Sequence, residues 1–156
     1  MNFLLMAIFT LSLTALQARL PTAWWLGGVR FEFLPALVAF GALTFRHRRW
    51  AVTLAVAAGF LQDALSAAPF GNTMAAYALA AFLLTGMARA FDREALWMQM
   101  LGGALVSLVA SLAACAVVGF GGGATWKISL LAVLSAAVTP VVFFVLDFLR
   151  WRLRVT

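Results

Sequence analysis

Asp63 is the side chain whose placement most demands a chemical explanation. It is one of five carboxylates in the chain, and it follows an apolar run in Gly59-Phe60-Leu61-Gln62-Asp63-Ala64-Leu65-Ser66. Pro69 and Gly71 then make a turn, and Asn72 opens another apolar run. A helix from Trp50 carries Asp63 about 20 Å from the interface that the tryptophan marks. A charge at the centre of a bilayer costs roughly 2.5 to 3.5 kcal/mol, and less near an edge. Asp63 must therefore be neutral, paired or in reach of water. Its candidate partners are Arg30, Asn72 and Gln62. As a structural group it ties the turn after Ser66 to the loop around Arg30. As a functional group it is a ligand or ion site. The structural role is the favoured one. Asn72 can cap the helix that it opens, because its side-chain oxygen accepts from free N–H groups at a helix start.

The remaining reactive side chains do not assemble into a known catalytic set. An aspartyl dyad needs two carboxylates a few ångströms apart. Asp63 and Asp147 fall towards opposite ends of the expected bundle. His47, the only histidine, lies among Arg46, Arg48 and Arg49 in a basic loop, away from Ser107 and Ser111. A Ser–His arrangement is thereby excluded. Cys115 is the only cysteine, so it forms no internal disulfide and builds no metal site alone. No HExxH, phosphate-binding loop or paired-cysteine motif occurs. A pump driven by protons needs a chain of intramembrane ionisable groups, and only Asp63 is clearly one. No catalytic, cofactor or metal residue is expected. Arg30 and Glu32 are two apart and do not face one another on a helix, so each is free to pair with a neighbouring segment. Tyr77, the only tyrosine, falls within an apolar run, where its hydroxyl should find a backbone carbonyl.

The elements that must position these residues follow from composition. The chain has 156 residues, 65% of them hydrophobic and 10% charged, with mean hydropathy +1.04. Water-soluble domains are nearer a quarter charged, so lipid is the expected solvent. The net charge of +6 comes in short basic clusters between apolar runs. That pattern sets topology in a membrane and argues against nucleic-acid binding. One all-α membrane domain of six transmembrane helices is expected, with spans at about 1–18, 29–45, 50–66, 72–88, 95–120 and 128–149. The first lacks a basic leader and is taken as a retained span. The second is short for the hydrocarbon thickness, so it must borrow length from Val29 to Glu32, tilt little or rely on snorkelling ends.

On that topology Arg46, Arg48, Arg49, Arg89, Arg93, Arg150, Arg152 and Arg154 share one side, and Arg19, Arg30 and Lys127 the other. The positive-inside rule puts both termini in the cytoplasm. Trp24, Trp25 and Trp126 fall at outer ends, and Trp50, Trp97 and Trp151 at inner ends, where amphipathic rings belong. Gly103, Ser107, Ser111 and Cys115 recur every four residues, a stripe of small side chains along one face of the fifth span. Such stripes let membrane helices approach closely. Ser135 and Thr139 provide a complementary strip on the sixth.

With these residues in view, the chain resembles the MreD family of bacterial rod shape-determining proteins. Arg30-Phe31-Glu32-Phe33-Leu34 is similar to that family's Arg-Pro-Asp-Leu-Leu run, with Phe31 in place of proline and Glu32 in place of aspartate. Gly59 to Ser66 is similar to its Gly-Leu-x-x-Asp-Leu-x-Ser element, and Phe70-Gly71 to the Leu-Gly that follows. The likeness extends over nearly the whole chain in length and span order. It implies a six-helix fold similar to the substrate-binding subunits of energy-coupling-factor vitamin transporters. It also implies a non-enzymatic subunit of the cell-wall elongation complex in the bacterial inner membrane. The implied partners are the single-span protein MreC and, through it, the filament protein MreB, the glycosyltransferase RodA and a penicillin-binding transpeptidase. The fold likeness supplies the alternative, a vitamin-transporter substrate-binding subunit. The Ala-x-x-x-Ala strip of those subunits is missing from the first span, where Leu11 follows Ala7 and Arg19 follows Ala15.

Overall fold

A computed structural model describes residues 3–19, 32–45, 47–66, 70–88, 92, 95–119 and 124–152. The described residues form six α-helices and no strand: α1 Phe3–Arg19, α2 Leu34–Thr44, α3 Arg48–Leu65, α4 Asn72–Met87, α5 Leu96–Val118 and α6 Ala124–Arg152. All-helical structure follows from long apolar runs rich in alanine and leucine, the residues that lose least in a helix.

The bundle is organised around α2. Every residue from Leu34 to Leu43 is buried in this eleven-residue helix. A helix that is apolar all round belongs inside other helices, and α2 touches every other helix of the bundle. Phe40 meets Phe143 of α6 edge to face, with ring centroids 4.8 Å apart. Pro35 lies in the first turn, where a missing N–H costs least. Thr44 ends the helix, and Phe45 turns extended with its N–H on the Gly41 carbonyl at 3.0 Å. Glu32 and Phe33 precede the helix and are not part of it. The expected lengthening of this segment through Glu32 is thus not helical at its described end.

α3 packs most closely against α4, and α5 against α6. The buried face of α3 is Ala51, Leu54, Ala55, Ala58, Gly59 and Asp63, and that of α4 is Ala76, Tyr77, Ala80, Ala81, Leu84 and Thr85. Both sets step at helical spacing and are dominated by small side chains, so the two axes come close. At the opposite end of the hairpin from Asp63, the Arg48 guanidinium lies over the Phe82 ring, 3.0 Å from its centroid, and Nη2 donates to the Phe82 carbonyl at 2.8 Å.

α5 and α6 close the bundle through the small-residue stripe. A Cβ on Gly103 would overlap Thr139 Oγ1 and come within 2.9 Å of the Ser135 carbonyl oxygen. Ser135 Oγ donates to the Gly103 carbonyl at 3.0 Å, and Thr139 Oγ1 donates to the Ser135 carbonyl at 2.6 Å. Ser107 is buried on the same face, whereas Ser111 and Cys115 are half-buried. The partner of the stripe is therefore internal, the expected strip on α6.

Two helices are long and apolar enough to cross a membrane, Leu96–Val117 and Thr125–Leu149. Only 22% of each apolar window is buried, the reverse of a core helix in a water-soluble protein. Apolar surface left outside on this scale favours lipid around these two helices.

Candidate functional site

Asp63, Gln17 and Gln62 come together at one end of the bundle, where α1 and α3 finish and α2 and α4 begin. Asp63, in the last turn of α3, is 2% exposed. Its Oδ2 accepts from the backbone N–H of Gly71 at 2.8 Å and of Met74 at 3.3 Å, and its Oδ1 accepts from the N–H of Thr73 at 3.1 Å. The first N–H groups of any helix lack partners within it. Here a carboxylate from the preceding helix supplies them, at the end of α4 where negative charge is favoured.

Two glycines make this lock possible. Gly71 is the N-cap of α4 with φ +94°, a left-handed conformation that side chains other than glycine adopt at a cost. That conformation brings its N–H, with those of Thr73 and Met74, onto one carboxylate. Gly59 lies one turn before Asp63, where a Cβ would overlap Met74 Cα and come within 2.8 Å of Met74 N. The backbone of α4 thus rests against Gly59, which sets the distance that Asp63 must bridge. Phe60 and Phe70 close the turn edge to face at 5.3 Å.

Several expectations change here. Among the described residues Asp63 binds the start of α4, whereas the loop around Arg30 that it was also expected to reach lies outside them. Asn72 does not cap α4: it is the first helical residue after the Gly71 cap, no side-chain cap bond is made, and its buried Nδ2 has no partner among the described residues. The cap is tertiary, supplied from eight residues upstream. Arg30 lies outside the described residues. Gln62 is engaged elsewhere.

The segment before α2 is held by Gln17, a residue that spacing arguments passed over. Gln17 Oε1 accepts from the Phe33 N–H at 3.1 Å, and Gln17 Nε2 donates to Gln62 Oε1 at 2.9 Å. One amide thus joins α1, α2 and α3. A signal for it is present in the sequence: Met6, Thr10, Thr14 and Gln17 step at 4, 4 and 3 residues and form the buried face of α1. Thr10 and Thr14 satisfy their hydroxyls on the carbonyls one turn back, at 2.7 and 2.6 Å. Gln17 is the member of that face that reaches other helices. Replacing Gln17 by leucine leaves the Phe33 N–H and the Gln62 oxygen unpaired. The expected loss is about 2 to 3 kcal/mol, read as a lower Tm of the purified chain in mild detergent.

Tyr77 departs from expectation too. It is completely buried, yet its hydroxyl has no partner among the described residues, neither a backbone carbonyl nor a side chain. Removing a polar group that has no partner relieves its desolvation cost. Tyr77→Phe should therefore fold at least as stably as the wild type, which a paired Tm measurement checks.

Of the other candidates, His47 and Asp147 are exposed and Cys115 is half-buried, so none joins this cluster. No group of three or more His, Cys, Asp or Glu that could hold a metal ion occurs among the described residues. The arrangement is a hydrogen-bonded lock on a helix hairpin, beside a three-helix amide junction. Comparisons with protein-family models, with curated proteins and with solved structures find no match for the chain.

Proposed function

We infer that the chain is a six-span, non-enzymatic scaffold subunit of the bacterial cell-wall elongation complex, of the MreD kind, holding an MreC-like single-span partner in the inner membrane. The observation that carries this is the use made of the motif behind the resemblance. Gly59, Asp63 and Gly71 all serve one purpose, fixing the α3–α4 hairpin: close approach, cap and left-handed turn. A motif spent on rigidity suits a protein that offers fixed helix faces to others. The basic clusters suit a cytoplasmic rim facing anionic lipid or acidic partners, with both termini on that side. The short α2 fits a six-span bundle because it is enclosed by longer helices and need not meet lipid along its length.

The test is isolation of the tagged full-length chain from its native membrane in mild detergent, with identification of what accompanies it. A coiled-coil, single-span protein with a periplasmic domain is expected, together with wall-elongation enzymes. Recovery with the ATPase subunits of a vitamin transporter, or turnover of any substrate by the isolated chain, would overturn the assignment.

A further inference from the structure

The helices of the bundle are not held alike. α3 and α4 are fastened by the Asp63 lock, by Arg48 on the Phe82 carbonyl and by the backbone contact at Gly59. α5 and α6 are fastened by the Ser135–Gly103 bond and the close approach at Gly103. α2 is enclosed by its neighbours. α1 has none of these means. Among the described residues it touches only α2 and α3, and it contains no glycine on which another backbone could rest. Its buried hydroxyls, Thr10 and Thr14, are spent on its own carbonyls at Met6 and Thr10. Its only side-chain hydrogen bonds to another described segment are the two made by Gln17, with the Phe33 N–H and with Gln62.

Apolar contact adds little to this in lipid. Met6 is buried, and Phe9 and Leu13 lie against the same core. In water the hydrophobic effect would hold such contacts. Between membrane helices that drive is missing, because acyl chains are as apolar as the side chains they replace. Association there rests on close packing and interhelical hydrogen bonds. α1 is therefore secured by one amide near its C-terminal end, while its outer face, with Ile8, Leu11 and Leu16, is exposed.

We propose that α1 is a releasable strap: the Gln17 clasp opens and closes, and in the open state α1 leaves α2 and α3 while the other helices keep their packing. Opening bares the side of α2 that α1 covers, together with the Phe33 N–H and the Gln62 amide. Those polar groups are costly in lipid without a partner, so the closed state is the resting one. The strap thus controls whether that side of α2 is open to another membrane helix. The inference rests on the six-span reading for the lipid around α1, and is independent of the elongation-complex assignment.

The test is a distance measurement between paired spin labels on the full-length chain in lipid bilayers, with Cys115 replaced by alanine. Labels at Ile8 and Thr53, both exposed, span α1 and α3. Labels at Thr53 and Leu83, also exposed, span α3 and α4 as a control. Gln17→Leu should raise the population at a longer Ile8–Thr53 distance by about tenfold. Gln62→Leu removes one partner and leaves the bond to Phe33, and should raise it by less. The Thr53–Leu83 distance should stay single and unchanged in all three chains. One Ile8–Thr53 distance in all three overturns the proposal. So does a Thr53–Leu83 distance that broadens along with it, because the bundle is then loose throughout. Should Gln17→Leu not fold, Gln62→Leu decides by the same readings. The Ile8 label also reports its solvent, and relaxation by oxygen but not by a water-soluble nickel complex is expected. Relaxation by nickel would overturn the six-span reading and the strap with it, whereas a single distance beside oxygen access overturns the strap alone.

Discussion

Replacing Asp63 by alanine should cost about 3 to 5 kcal/mol, the largest loss expected from any single polar substitution in the chain. The carboxylate accepts three backbone N–H groups at the start of α4. Each bond to a charged acceptor contributes about 1.5 to 3 kcal/mol, and such terms are not fully additive. Alanine leaves three N–H groups without a partner in a water-poor place, and the Gly71 turn loses the acceptor that holds its N–H. Asp63→Asn should fall between. Its single oxygen can keep Gly71 and Met74, but its NH2 then faces the Thr73 N–H, donor against donor. The ordering wild type above Asn above Ala, read from Tm in mild detergent and from the amount of chain accumulated in membranes, checks the arrangement. Equal stability of all three would mean that the hairpin does not depend on this side chain.

Gly103→Val is the second large effect. Even the first added carbon overlaps Thr139 Oγ1 and crowds the Ser135 carbonyl, so α5 and α6 must separate. Overpacking of this kind costs about 1 to 3 kcal/mol. Separation also breaks the bond from Ser135 Oγ to the Gly103 carbonyl, which adds about 1 kcal/mol. Ser107→Leu acts on the same face one turn later and should fail in the same way. Ser111→Leu should be tolerated, because Ser111 is half-buried. The contrast between Ser107 and Ser111 matters more than either value. If both leucine variants behave alike, the register of α5 on α6 is different from the one described.

The parts of this architecture that were legible in the sequence share one property: each broke a pattern. Asp63 was visible because a lone carboxylate follows an apolar run. The Gly103–Ser107 face was visible because small residues recur every fourth position, and Ser135 and Thr139 answer it. What stayed hidden was whatever depended on which apolar surface faces which. Leu34 to Leu43 looks the same whether it meets lipid or other helices, so the central place of α2 carried no mark. Gln17 looked like an ordinary polar residue at the end of a span, because its partners lie in α3 and just before α2. Asn72 was assigned the cap by its residue type and position, but a carboxylate folded in from α3 competes better for the same N–H groups. Tyr77 was expected to pair because buried hydroxyls usually do, and no pattern in the sequence marks an exception.

The length of α2 carries a consequence for how the protein is made. Eleven residues reach about 16 Å, little more than half the hydrocarbon depth of about 30 Å. On the six-span assignment, such a segment emerging from the ribosome cannot settle in lipid by itself, because its ends would strand backbone groups far from water. It becomes stable only when later-synthesised helices surround it. Biogenesis of this chain therefore waits on its C-terminal half, and truncation after the α3–α4 hairpin should send the product to proteolysis, not leave it as a membrane-inserted fragment.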